Sequence, residues 1–321
     1  MPARVRELGI VPGSLPTGSL NAITDVPGVL VGQTTIDDGA DLHTGVTAIL
    51  PPSLSAVPAA IAVGNGYGKL VGSTQVDELG VLETPILLTG TLSVFRVADA
   101  LVSWLLERDL EASSLNPVVG ETNDGFLSDI RRRPITPSHV FAALDNASAD
   151  LPAEGCVGAG TGTAALGFKA GIGTSSRSAG GGTVGVLVQS NFSGTLTVLG
   201  TPVPAPKTAG TPGGNSCMIV VATDLALDAR QLGRVARRAV FAMGKVGSDY
   251  APGSGDYAIA FSTTTAAPTP ETQLNTVFQA TMEATEEALL NSLTMAHTVT
   301  GFRGNTRYAV PFDVLVKLAS G

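Results

Sequence analysis

The run Ser216-Cys217-Met218-Ile219-Val220-Val221-Ala222-Thr223-Asp224 is the most apolar strand-like segment of the chain, and such a run is stable only when buried. What precedes it is opposite in character. From Leu199 to Gly214 the pattern dissolves into Pro202, Pro204, Pro206, Lys207, Thr208, Gly210, Pro212, Gly213 and Gly214, the composition of a flexible exposed loop. A loose loop running straight into a buried strand is an unusual junction. It directs attention to the Asn215-Ser216 peptide bond.

The remainder alternates between strand-like and helical segments. Val29 to Gly32, Gly45 to Leu50, Ala59 to Val63 and Pro85 to Thr89 are short apolar runs that end in turn residues; the third is followed by a turn at Gly64-Asn65-Gly66-Tyr67-Gly68. Gly180-Gly181-Gly182 leads into another strand through Gln189, and Asp256 to Thr263 forms one more. Val94, Val97, Ala98, Leu101, Trp104 and Leu105 make one stripe of a helix over Val94 to Glu107, which places Trp104 in the core. Asp228 and Gln231 fit a capping box opening a helix through roughly Met243, with Leu232, Val235, Ala239 and Met243 on its apolar face. A long helix covers Thr272 to roughly Ala296. No fixed-period repeat is present, which argues against a solenoid or propeller. Strands interleaved with long helices predict a layered α/β architecture.

Composition sets limits. The 321 residues allow one large domain or two, and 44% hydrophobic against 14% charged residues supplies a sizeable core. A net charge of -8 disfavours a nucleic-acid binder, and Arg131-Arg132-Arg133, flanked by Asp129 and Pro134, reads as a solvated helix end or turn. Cys156 and Cys217 are too few for a disulfide framework or a thiolate-rich zinc site. Met1 to Leu15 has no apolar signal-type core, and nothing approaches 18 uninterrupted apolar residues. The expectation is a soluble, cytoplasmic protein with no membrane partner.

Gly158-Ala159-Gly160-Thr161-Gly162-Thr163-Ala164-Ala165 contains G-x-G-x-x-A, but no Asp or Glu occurs from Gly155 to Thr223 to hold a ribose. The segment therefore reads as a Gly-rich turn against packed backbone. His43, His139 and His297 are scattered and form no metal-type cluster. A Ser-His-Asp triad needs only spatial proximity, so the sequence leaves it open, although no G-x-S-x-G elbow is present. Asn215-Ser216 is the sharper signal. A serine hydroxyl needs a base, and cleavage just before the serine creates one, because the new α-amine titrates near 7.7–8.0. Attack of Ser216 Oγ on the Asn215 carbonyl would give an ester by an N→O acyl shift, which water then opens. Taken alone, an Asn-Ser before an apolar strand is better explained by a plain strand-initiating serine.

The segment Gly214 to Asp224 resembles the cleavage site of the DmpA/BapA-type self-processing aminopeptidases, the L-aminopeptidase/D-esterase-amidases and β-peptidyl aminopeptidases. The likeness extends in order along nearly the whole chain. It takes in Asn21 to Val29, Thr44 to Pro51, Val118-Val119-Gly120-Glu121-Thr122 with Asp124-Gly125, Gly158 to Thr163, Phe168-Lys169, Gly171 to Arg177, Gln189-Ser190-Asn191-Phe192 and Gly253-Ser254-Gly255-Asp256.

The resemblance implies a four-layer α/β/β/α sandwich of the DmpA/ornithine-acetyltransferase type, laid out like the N-terminal-nucleophile (Ntn) hydrolases. It implies a single catalytic domain that cuts itself into an α chain of residues 1–215 and a β chain of residues 216–321. Ser216 would be the nucleophile, Asn191 the oxyanion-stabilising amide, and Ser254 with Asp256 the pair beside the nucleophile and its new amine. Glu121 would hold the substrate's free amino group, since an ammonium calls for a carboxylate. No metal or organic cofactor is implied, and processed αβ units would assemble as homo-oligomers, commonly tetramers. The substrates would be small peptides, amides or esters with a free amine. Three departures bear on the acyl-side pocket: Asn123 stands where an aromatic is usual, Lys69 where Glu is common, and Thr89-Gly90-Thr91 replaces Thr-Asn-Thr. The loop between Asn191 and Ser216 is also shortened. A nylon-oligomer-type ω-amino amidase and an ornithine-acetyltransferase-like acyl transferase are the alternatives; the latter cleave before Thr, where this chain has Ser216.

Overall fold

The computed structural model describes residues 2–53, 56–108, 111, 113–206 and 215–319. One five-stranded sheet holds, in spatial order, β1 (Leu30–Asp37), β2 (His43–Leu50), β6 (Ile86–Gly90), β7 (Val118–Thr122) and β4 (Leu70–Val71). A six-stranded sheet holds β10 (Ile172–Ala179), β11 (Gly182–Asn191), β14 (Asn215–Thr223), β15 (Ser254–Ser262), β3 (Val57–Gly66) and β5 (Val81–Leu82). Small ribbons pair β8 (Ala164–Ala165) with β9 (Phe168–Lys169), β12 (Thr197–Val198) with β13 (Thr201–Pro202), and β16 (Val299–Thr300) with β17 (Thr306–Arg307). The helices are α1 (Ser73–Leu79), α2 (Val94–Leu106), α3 (Pro137–Asp145), α4 (Ala229–Ala242), α5 (Leu274–Thr294) and α6 (Phe312–Ala319).

Side-chain alternation along the strands builds the layers. On β14, Met218, Val220 and Ala222 face the other sheet and meet Ile49, Leu88 and Val118. Cys217, Ile219 and Val221 point the other way, onto Leu232, Val235 and Ala239 of α4 and Ala284 and Ala288 of α5. The outer face of the five-stranded sheet packs Ala48, Leu87 and Val119 against α2 and α3. The result is the four-layer α/β/β/α sandwich. It explains why β14 is apolar without alternation: both of its faces are buried, and each fully buried aliphatic side chain contributes about 1.5–3 kcal/mol.

Two parallel pairs, β6 with β7 and β14 with β15, lie in otherwise antiparallel sheets. A helix, α2 or α4, crosses between the strands of each, as a parallel connection requires. The α4 start is the expected box: Gln231 N–H donates to Asp228 Oδ1 at 2.7 Å and Asp228 N–H to Gln231 Oε1 at 3.2 Å. Trp104 is buried, its indole donating to Asp145. Arg131 and Arg132 end a short 3-10 turn closed by Arg133 in left-handed conformation, φ 45°. The expected 199–214 loop is described only to residue 206, where it includes the ribbon strand β13; its remainder lies outside the described residues.

Some elements differ from expectation. The Gly64-Asn65-Gly66 segment is not a turn, because β3 runs through Gly66. β10 is a fully paired strand across from β11, although its Ser/Thr/Gly composition gives no apolar alternation. Its Arg177 is buried. The guanidinium meets Glu287 at 2.6 Å and Glu283 at 3.3 Å, while Asn21 and Arg6 also donate to Glu287. This polar network fastens the N-terminal segment to α5. No helix among the described residues is long and apolar enough to cross a membrane.

Candidate active site

The residues around Ser216 are set by the strands on either side of it. Ser216 is the second residue of β14 and 2% exposed. Its Oγ donates to the Asn215 carbonyl oxygen at 2.5 Å, so the hydroxyl already lies against the carbonyl it is expected to attack. The Asn215 side chain donates to Ser193 Oγ at 3.0 Å, and Ser193 donates to Asp249 at 2.6 Å. Both sides of the bond are therefore held.

On one flank, the antiparallel register of β11 and β14 puts Asn191 directly opposite Ser216. Asn191 is buried, and its Oδ1 accepts the Ala164 N–H at 3.1 Å, which fixes the orientation of the amide. Gln189, two residues earlier, donates to Thr89 O, Thr122 Oγ1 and Ala159 O, tying the two sheets together behind the site.

On the other flank, parallel β15 aligns Ser254, Gly255 and Asp256 with Asn215, Ser216 and Cys217. Ser254 Oγ donates to Asp256 Oδ1 at 2.7 Å, and Asn65 Nδ2 donates to Asp256 Oδ2 at 3.0 Å. Burial raises the Asp256 carboxyl above its ordinary value, against the lowering effect of these two hydrogen bonds. A β-bulge makes the second bond possible: the register skips Gly64, so Asn65 faces Asp256 while Val63 faces Tyr257. By alternation, Ser254 and Asp256 share the Cys217 face, opposite that of Ser216 Oγ. Their reach to the chemistry is through the main chain, where an α-amine on residue 216 would lie. Burial, and then the Asp256 charge, push the Cys217 thiol well up, so it remains a neutral core residue.

A cavity of about 50 Å³ opens at Ser216, lined by Tyr67, Lys69, Thr91, Glu121, Asn123 and Asn215 among others. Glu121 is 2% exposed. Its Oε1 accepts the Lys69 backbone N–H at 3.0 Å and lies 3.4 Å from Lys69 Nζ, while Oε2 is buried with no partner among the described residues. Asn123 lines the same cavity, with its Oδ1 accepting the Gly125 N–H at 2.9 Å. All the predicted site residues thus gather around one junction. Asn65, Ser193 and Tyr67 join them without having been singled out as site residues, and Thr91 comes from the Thr89-Gly90-Thr91 departure that bears on this pocket. A larger apolar cavity of about 560 Å³, between β3 and α4, holds none of them.

The other sequence candidates lie elsewhere. His43 is buried beside Asp37, His139 accepts from Thr136 N–H at the start of α3, and His297 is exposed; none lines the cavity. The Gly158 to Ala165 segment is a close-packed turn in which a Cβ on Gly162 would lie 2.0 Å from the His43 carbonyl oxygen. No group of three His, Cys, Asp or Glu among the described residues is placed to hold a metal ion.

Comparison with known proteins establishes the family and the fold. The model of peptidase family S58 matches residues 21–307. The β-peptidyl aminopeptidase BapA of Sphingosinicella xenopeptidilytica is 41% identical over 98% of this chain and 90% of its own length. Among solved structures, the PH0078 protein of Pyrococcus horikoshii OT3 superposes with a TM-score of 0.92 at 40% identity, covering 99% of both chains. The L-aminopeptidase D-Ala-esterase/amidase of Ochrobactrum anthropi, described as a prototype of the serine aminopeptidases and a variant of the Ntn hydrolase fold, superposes with a TM-score of 0.89 at 34% identity over 99% of both. This chain belongs to peptidase family S58 and is a serine aminopeptidase of the Ntn-hydrolase class.

Proposed function

We propose that Ser216 cuts the Asn215–Ser216 bond, and that the resulting two-chain enzyme removes N-terminal residues from small peptides, amino-acid amides or esters. The observation that carries this is the 2.5 Å contact between Ser216 Oγ and the Asn215 carbonyl oxygen. In maturation Oγ attacks the carbonyl carbon, and the C–N bond breaks as the residue 216 nitrogen takes the hydroxyl proton. Water then hydrolyses the Asn215 ester, leaving a carboxylate on Asn215 and a free α-amine on Ser216.

That amine is the base in turnover. It accepts the Oγ proton as Oγ attacks the substrate carbonyl, and returns a proton to the departing amine or alcohol. The Asn191 amide donates to the tetrahedral oxyanion, a task suited to a fixed neutral donor in a buried site. Water opens the acyl-serine by the same route. Asp256, with Ser254, lies along the strand next to the amine and favours its charged state when ionised. The orphaned Glu121 Oε2 takes the substrate ammonium.

The relative's name supports extending the acyl group to β-amino acids, whose amine lies one carbon further from the scissile bond. Assembly of processed αβ units into tetramers belongs to the same proposal and rests on the family resemblance. The test is hydrolysis of L-alanyl and 3-aminobutyryl p-nitroanilides beside their N-acetyl forms. Cleavage of the free-amine compounds alone is expected, and equal cleavage of the acetylated ones contradicts the reading.

A further inference from the structure

The amine-reading end of the cavity holds both signs of charge. Glu121 contributes a buried carboxylate, and Lys69 an ammonium whose side chain is 40% exposed at the mouth of the cavity. Lys69 Nζ donates to Thr91 Oγ1 at 2.8 Å and stands 3.4 Å from Glu121 Oε1. The two Glu121 oxygens are thus unequal: Oε1 faces Lys69, and Oε2 is buried without a partner among the described residues. The position of Lys69 follows from the fold, because β4 pairs with β7 at Leu70 and Gly120, one residue from each of the two charges.

A cavity with Glu121 alone would draw any cation. With Lys69 beside it, a second cation near the substrate amine is repelled and an anion there is drawn in. We propose that Lys69 is a specificity-determining residue, and that the preferred acyl group carries a carboxylate on the carbon that bears its amine. The simplest such group is the β-linked aspartyl residue. It is a β-aminoacyl group in which ammonium and carboxylate share one carbon, so the ammonium meets Glu121 Oε2 while the carboxylate meets Lys69 Nζ. Hydrolysis of a β-aspartyl amide at this site releases aspartate and the free amine, with one water consumed. The inference rests on the assignment of Glu121 to the substrate amine made above.

The experiment compares three p-nitroanilides that differ in one substituent on the amine-bearing carbon: β-aspartyl (carboxylate), 3-aminobutyryl (methyl) and 3,4-diaminobutyryl (aminomethyl). The processed wild-type enzyme is expected to favour the carboxylate over the methyl compound by about ten-fold or more in kcat/KM, and the methyl over the aminomethyl compound. Lys69→Met is expected to bring the first ratio to one or below, and Lys69→Arg to retain it. Ratios are the readout because any change Lys69→Met makes to Glu121 is common to all three. A wild-type ratio of one or less, or a ratio that Lys69→Met leaves unchanged, overturns the proposal while leaving aminopeptidase action intact. Failure of the wild type to cleave either 3-aminobutyryl or L-alanyl anilide overturns both readings together.

Discussion

Asn191 stands opposite Ser216 in the antiparallel pairing of β11 with β14, its side-chain carbonyl held by the Ala164 N–H. A donor fixed in this way loses little on reorganisation when charge develops on a neighbouring oxygen. Replacing Asn191 with Ala is expected to lower kcat by about 10²–10³-fold with little change in KM. Steady-state kinetics on an alanyl anilide checks this, and a loss below ten-fold would remove Asn191 from the oxyanion role.

Glu121→Gln keeps the shape of the cavity and removes its buried charge. Free-amine substrates are expected to bind about 10–100-fold more weakly, the worth of a charge-assisted hydrogen bond. Binding of N-acetylated analogues, measured as competitive inhibition, changes far less. Equal losses in both series would show that Glu121 does not read the amine.

Asp124, fully buried next to the binding segment, has its carboxyl pushed up to about 6 by burial, from an ordinary 3.8. Between those values the folded state holds a proton that the unfolded chain releases. Stability therefore falls as pH rises from about 4 through 6, by up to roughly 3 kcal/mol from this group. Asp124→Asn is expected to remove that loss, so urea unfolding at pH 8 gains on the wild type relative to pH 4.5. An identical pH dependence in both proteins contradicts the assignment.

Arg177 and Glu287 form a buried pair that joins β10 to α5 and, through Arg6 and Asn21, holds the N-terminal segment. Arg177→Met leaves Glu287 to Arg6 and Asn21 alone and strips Glu283 of its buried cation, and should cost about 3–5 kcal/mol in urea unfolding. The double variant Arg177→Met, Glu287→Gln should recover part of that loss. A single-variant cost under about 1 kcal/mol would mean the pair is not what anchors the segment.

These contrasts show what the sequence could and could not disclose. β14 was legible because a strand buried on both faces has to be continuously apolar, and Ser216 because a loop of Pro and Gly runs into it. The roles expected for Asn191, Ser254, Asp256 and Glu121 came from likeness in order along the chain; neither local pattern nor spacing carries them. Asn21 and Gly171 to Arg177 belong to the same likeness, yet Asn21, Thr174, Ser175 and Arg177 serve the N-terminal anchor. β10 carries no strand signal in sequence because its Ser and Thr side chains satisfy hydrogen bonds in the interior instead of presenting an apolar stripe. In sequence Asn65 reads as part of a turn, since Gly64 looks like a breaker; in the fold Gly64 forms the bulge that aims Asn65 at Asp256. The contact between Lys69 and Glu121 depends on pairing across some fifty residues, which no local periodicity encodes.

The central claim is that Ser216 severs the bond before it and then works as an N-terminal nucleophile. Intact mass of active, purified protein, with N-terminal sequencing of the smaller component, tests it most directly. Two chains are expected, covering 1–215 and 216–321, the second beginning Ser-Cys-Met-Ile, while Ser216→Ala yields one uncut, inactive chain of about 32.4 kDa. Full activity from an unbroken wild-type chain, or turnover by the Ser216→Ala protein, would contradict it.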